Sequence, residues 1–138
     1  MGSSGSGVAM KLVVNTLLGV GMQAIAEAVA LGVTLDLPRD LLLDTLAKTA
    51  VVAPAHTGKL ASAKKNDYAP QFKVRLMHKD FGLVLAAAAR SGLAMPATEA
   101  AAAINTAEAA SGGEEDFSAV IRRMEQEAVA ASLLRPVA

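Results

Sequence analysis

Residues 12–33 read LVVNTLLGVGMQAIAEAVALGV, and the reading of this run decides the fold. It holds no proline and is rich in Leu, Ala and Met, which favour helix. It is apolar around most of its circumference, which marks a helix either buried in a core or spanning a bilayer. Asn15, Gln23 and Glu27 oppose the bilayer, where polar groups are costly without partners. Gly19 and Gly21 instead suit a helix packed closely by others. The expectation is a long buried first helix from about Val8 to Leu31, stopped by Gly32, at the centre of the fold or at a subunit interface.

C-terminal to this run, the turn VTLDLP leads to Pro38, suited to the first turn of a second helix. There Leu41, Leu42, Leu43, Leu46 and Ala47 recur at helical spacing. Pro54 breaks that pattern, and a more polar helix follows over Ala55 to Lys65. NDYAPQF, residues 66–72, is a loop by its Asn, Asp and Pro content. Lys73 to Ser91 reads as a helix ended by Gly92. Pro96 opens an Ala-rich helix to about Ala110, and Ser111-Gly112-Gly113 breaks the chain again. Asp116 or Ser118 is placed to cap a last amphipathic helix through Ile121, Met124 and Ala128. The fold class is therefore all-α, a six-helix bundle.

Composition agrees. Of the 138 residues 53% are hydrophobic but only 3% aromatic, so strand-forming runs are scarce. The length suits one domain with its own core. Thirteen basic and thirteen acidic residues balance to zero net charge, which opposes nucleic-acid binding. There is no cysteine, excluding disulfide and thiolate chemistry and fitting a reducing cytoplasm. No His, Asp and Glu grouping has metal-ligand spacing, so no metal is implied. His56 and His78 read as loop or surface histidines, and Glu27 as satisfying a buried partner.

N-terminal to the long run, residues 2–15 read GSSGSGVAMKLVVN. Runs of Gly and Ser at an N-terminus also occur as expression remnants. Taken as spacing, the string is G-x-x-G-x-G, then Lys11 four residues after Gly7 and Asn15 four after Lys11. Residues i and i+4 share a helix face, so the Lys11 amine and the Asn15 carboxamide point into one space. A glycine-rich loop opening the helix would place the amides of Gly5, Ser6 and Gly7 at its positive end. That arrangement suits a small anionic substrate whose hydroxyl loses or gains a proton.

Two separated strings agree with one family. The first is G-x-x-G-x-G-x-x-x-K-x-x-x-N, filled by Gly2, Gly5, Gly7, Lys11 and Asn15. The second is a Lys-Asp pair after an aromatic loop, DYAPQFKVRLMHKDFGLVLAAA, with Lys79 and Asp80. GGEEDFSAVI near the C-terminus is a third echo. The chain thus resembles the C-terminal domain of the β-hydroxyacid dehydrogenases, the group of 3-hydroxyisobutyrate dehydrogenase, tartronate semialdehyde reductase and glyoxylate/succinic semialdehyde reductase, over nearly its whole length.

The resemblance implies a helical domain like the C-terminal domain of 6-phosphogluconate dehydrogenase, NAD or NADP as cofactor, and a hydroxy acid or semialdehyde as substrate. It implies Lys11 as the catalytic acid/base and Asn15 as holding the substrate or the lysine. Gly5, Ser6 and Gly7 would shape the site near the substrate carboxylate. Lys79 would contact the nicotinamide cofactor, and Asp80 would orient or pair with a neighbour. A lysine can take the hydroxyl proton only when part of it is neutral; arginine cannot serve. The family's N-terminal Rossmann domain, with its G-x-G-x-x-G turn between strand and helix, has no counterpart in this sequence. The expectation is a C-terminal half that folds but does not turn over alone. A homodimer is also implied, and with it a second reading as a helical assembly module. The related imine reductases generally carry another residue in place of Lys11.

Overall fold

The computed structural model describes residues 4–136. Six helices follow in order: α1 Ser4–Thr34, α2 Arg39–Lys48, α3 Pro54–Lys64, α4 Val74–Arg90, α5 Pro96–Gly112 and α6 Ala119–Leu133. Among the described residues the only extended pairing is an isolated antiparallel bridge between Lys73 and Asp116. The all-α expectation holds, and the helix boundaries fall within a few residues of those read from the pattern.

α1 is the axis. α6 packs along it, and the α4–α5 and α2–α3 hairpins complete the wrap. Met22, Ala26 and Val29 recur at intervals of four and three on the side facing the core. They meet Leu43, Leu60, Met77 and Ile121, all nearly inaccessible. The expectation of a buried first helix holds for its C-terminal half alone. Buried positions of α1 begin at Gly19, and toward the N-terminus Val8, Val13 and Leu17 stand exposed. By length and composition α1 could cross a membrane, but 39% of its most apolar window is already buried inside this fold.

Three local expectations are corrected. Gly5, Ser6 and Gly7 lie inside the first turns of α1, not in a loop before it; the helical run simply extends to the first described residue. Gly32 does not stop the helix. A Cβ there would lie 2.4 Å from Leu42 Cδ2, so its role is close packing on α2. The chain turns two residues after the helix ends, at Asp36, with φ of 60°. Finally, Pro54 does more than break a pattern: it is the first residue of α3, where its missing N–H has no acceptor to lose.

Gly19 sets how closely α4 approaches α1. A Cβ there would stand 2.5 Å from Phe81 Cζ and 2.8 Å from Met77 Cε. Both side chains are buried, so the ring cannot swing into solvent. Gly19→Ala recovers about 0.5–1 kcal/mol of helix propensity, but overpacking costs about 1–3 kcal/mol. The expected result is net destabilisation of about 1–2 kcal/mol by urea denaturation, whereas an unchanged or raised midpoint would show that α4 shifts freely.

Candidate functional site

The antiparallel contact of α1 with α4 brings two of the sequence candidates together. Asn15 Nδ2 donates to Asp80 Oδ2 at 2.8 Å, both half-buried. This bond spans 65 residues of sequence and is fixed by the helix packing around Gly19, one turn further along α1. Asp80 therefore does pair with a neighbour, and the neighbour is the candidate substrate-holding asparagine.

Lys11 is one turn N-terminal of Asn15 and exposed. Positions 11, 15, 22, 26 and 29 differ by four, seven, four and three, so Lys11 and Asn15 continue the core-facing stripe of α1 toward its N-terminus. The same face that is apolar among the core helices turns polar at Asn15, which bonds to α4, and at the exposed Lys11. Lys79, beside Asp80 on α4, is also exposed. Among the described residues neither ammonium has a hydrogen bond or ion pair. Gly5, Ser6 and Gly7 lie a further turn toward the positive end of α1. Gly2, the first glycine of the string, lies outside the described residues.

The expectation of a loop or surface histidine fails for His56 and holds for His78. His56 is buried on α3, not surface. Its Nε2 lies 2.9 Å from the Leu18 carbonyl, and Gly21 leaves room for its ring against α1. His78 is exposed, with Nδ1 3.3 Å from Thr106 Oγ1. Glu27 accepts from the buried Gln23 at 3.2 Å, as expected. No group of three His, Cys, Asp or Glu among the described residues could hold a metal.

The strongest polar centre escaped the sequence reading. Asp116, 2% exposed, accepts Lys59 Nζ at 2.9 Å, the backbone amides of Gln71 and Phe72 at 3.1 Å, and both the amide and hydroxyl of Ser118. Burial pushes its carboxyl up, but the hydrogen bonds from Ser118, Lys59 and the backbone outweigh this and hold it below the usual carboxylate value. Instead of capping α6 directly, Asp116 ties the 66–72 loop and α3 to the entry of α6, with no side-chain cap on the helix itself. By bracing the loop that precedes α4, it helps fix where Lys79 and Asp80 begin.

Known proteins share this sequence pattern and fold. The family model described as "NAD-binding of NADP-dependent 3-hydroxyisobutyrate dehydrogenase" matches residues 5–124. Glyoxylate/succinic semialdehyde reductase 1 of Arabidopsis thaliana is 38% identical over 122 residues, covering 88% of this chain and 42% of the relative. The 2-(hydroxymethyl)glutarate dehydrogenase of Eubacterium barkeri is 37% identical over 128 residues, covering 91% and 42%. Among solved structures, a 3-hydroxyisobutyrate dehydrogenase from Salmonella typhimurium superposes with a TM-score of 0.77 at 30% identity, covering 83% of this chain and 41% of that one. The chain thus spans about two fifths of the length of these relatives. With a family model matched over most of its residues, the chain belongs to the 3-hydroxyisobutyrate dehydrogenase family.

Proposed function

We propose that this chain supplies the proton-transfer and substrate-holding face of an NAD(P)-dependent hydroxyacid dehydrogenase. The observation that carries the reading is the Asn15–Asp80 hydrogen bond one turn from the uncommitted ammonium of Lys11. Asn15 has its carboxamide oriented by Asp80, which leaves the carbonyl oxygen and the second N–H for substrate. Lys11 accepts the hydroxyl proton in oxidation and returns it in reduction. Gly5, Ser6 and Gly7, in the first turns of α1, face the substrate carboxylate with the positive end of the helix.

A nicotinamide cofactor, when bound, supplies the acceptor for the hydride leaving the carbinol carbon. The donor set fits one side of such a group: Lys79 is exposed, cationic and unpaired beside the Asn15–Asp80 bond, and would hold it there. The described residues contain no strand followed by a glycine-rich turn and helix, the element that grips a dinucleotide pyrophosphate. The reading therefore includes a separate dinucleotide-binding domain as partner, and little turnover by this chain alone.

The test is hydride transfer followed by nicotinamide absorbance, with short 3-hydroxy acids and their semialdehydes. It compares this chain alone with this chain joined covalently to the part of the Arabidopsis reductase that it does not match. Activity in the joined protein only is the expected result. A joined protein that is folded, binds NAD or NADP and yet shows no turnover with any of these substrates would overturn the reading. A second reading, as a helical assembly module, is favoured by the apolar outward side of α1.

A further inference from the structure

Gln23 is a polar side chain in an apolar setting. It is 6% exposed and follows the core-facing Met22 on α1. Its amide nitrogen donates to Glu27 at 3.2 Å. A carboxylate accepts but does not donate, so this bond fixes which end of the amide faces Glu27. The other end, Oε1, is cut off from solvent and has no hydrogen-bond partner among the described residues. A buried acceptor left unpaired is costly, and folded proteins rarely keep one.

Gln23 borders two spaces. One is the groove between α1 and α5, formed with Glu27, Ala97 and Ala100; an oxygen cut off from solvent does not face it. The other is a cavity of about 10 Å³ inside the core, near the smallest that holds one water molecule. Met22, Met77 and Phe81 wall it, and the second amide on its lining is that of Asn105, 3% exposed. Asn105 makes one long bond, from Nδ2 to the Val74 carbonyl at 3.4 Å. This leaves an N–H and the side-chain carbonyl oxygen for another partner. A cavity lined by apolar groups alone stays dry, but two amides give a water the partners it needs.

We infer that one water molecule resides in this cavity, donating to Gln23 Oε1 and bonded to the Asn105 amide, and so ties α1 to α5. Gly19, Met77 and Phe81 share the cavity. The water thus sits behind the contact that sets how near α4 comes to α1, one turn from the Asn15–Asp80 bond. The inference does not rest on the dehydrogenase reading and survives its failure.

Water–protein NOE and ROE spectra test it directly. A water held in the core for longer than the protein takes to tumble gives NOE and ROE cross-peaks of opposite sign. The expected result is such cross-peaks from water to the Asn105 amide and to the Met77 methyl, which has no exchangeable proton. Gln23→Met keeps the length and helix propensity of the side chain and removes the amide. A hydrated amide predicts loss of the methyl cross-peak and a urea midpoint below that of Glu27→Met, which removes only the outward bond. An unpaired Oε1 predicts a midpoint above wild type, because a buried orphan is gone. A midpoint no lower than that of Glu27→Met overturns the inference, and so does a wild-type spectrum without the methyl cross-peak. A crystal structure in which Asn105 Nδ2 donates straight to Gln23 Oε1 overturns it too.

Discussion

Replacing Lys11 by Met lowers kcat for hydride transfer in the joined two-domain protein by about 10²–10⁴-fold, the usual contribution of a positioned acid/base. KM changes little, because the group acts on a proton that moves in the transition state. The thermal midpoint stays within about 2 °C, as for surface substitutions generally, since Lys11 is exposed and makes no ion pair or hydrogen bond among the described residues. Lys11→Arg separates proton transfer from charge. It keeps the cation but does not release a proton in the working range, so it fails to rescue kcat. Full rescue by Arg would assign Lys11 to binding the substrate anion and would remove its acid/base role.

Asp116→Ala lowers the free energy of unfolding by about 3–5 kcal/mol in urea denaturation, the cost of stranding one partner of a buried ion pair. A domain with about 5–15 kcal/mol of stability in all loses a large share of it. The substitution leaves the Lys59 ammonium buried and removes the acceptor for the amides of Gln71, Phe72 and Ser118. Lys59→Met costs less, because Asp116 keeps those three amides and the Ser118 hydroxyl. An equal or larger loss for Lys59→Met would show that the ion pair, not the amide cluster, holds the loop. The pH dependence follows from the same contacts. The folded-state pKa of Asp116 is depressed, so its contribution is fully present above the unfolded value, about 3.9, and is lost as pH falls through the lower folded value. The wild-type chain should therefore lose stability from about pH 4 downward more steeply than Asp116→Ala, which lacks this group.

Much of the candidate site was legible because it is local. Lys11 and Asn15 are one turn apart, and any helix through them puts both on one face. Lys79 and Asp80 are adjacent. The bond from Asn15 to Asp80 was not legible, because it depends on how near α4 comes to α1, which the buried contact of Gly19 with Phe81 and Met77 sets. The burial of His56 has the same kind of cause. Its neighbours in sequence are polar or small, while its burial is imposed by Leu18 and Gly21 from another helix. Gly32, an ordinary helix stop by sequence, is a packing glycine because Leu42 lies against it.

The helical class, the number and approximate limits of the helices, and the spacing of the Lys11 and Asn15 pair are all written in the chain. These follow from backbone propensity and periodicity, which act over a few residues. Packing between the helices selects which apolar face of α1 is core and which is open, since residues 10–35 carry two apolar faces and period alone does not rank them. It also decided that Asp116 and Lys59, 57 positions apart, form the buried polar centre. Burial and ion pairing are properties of what surrounds a side chain, and that is settled by packing between helices remote in sequence.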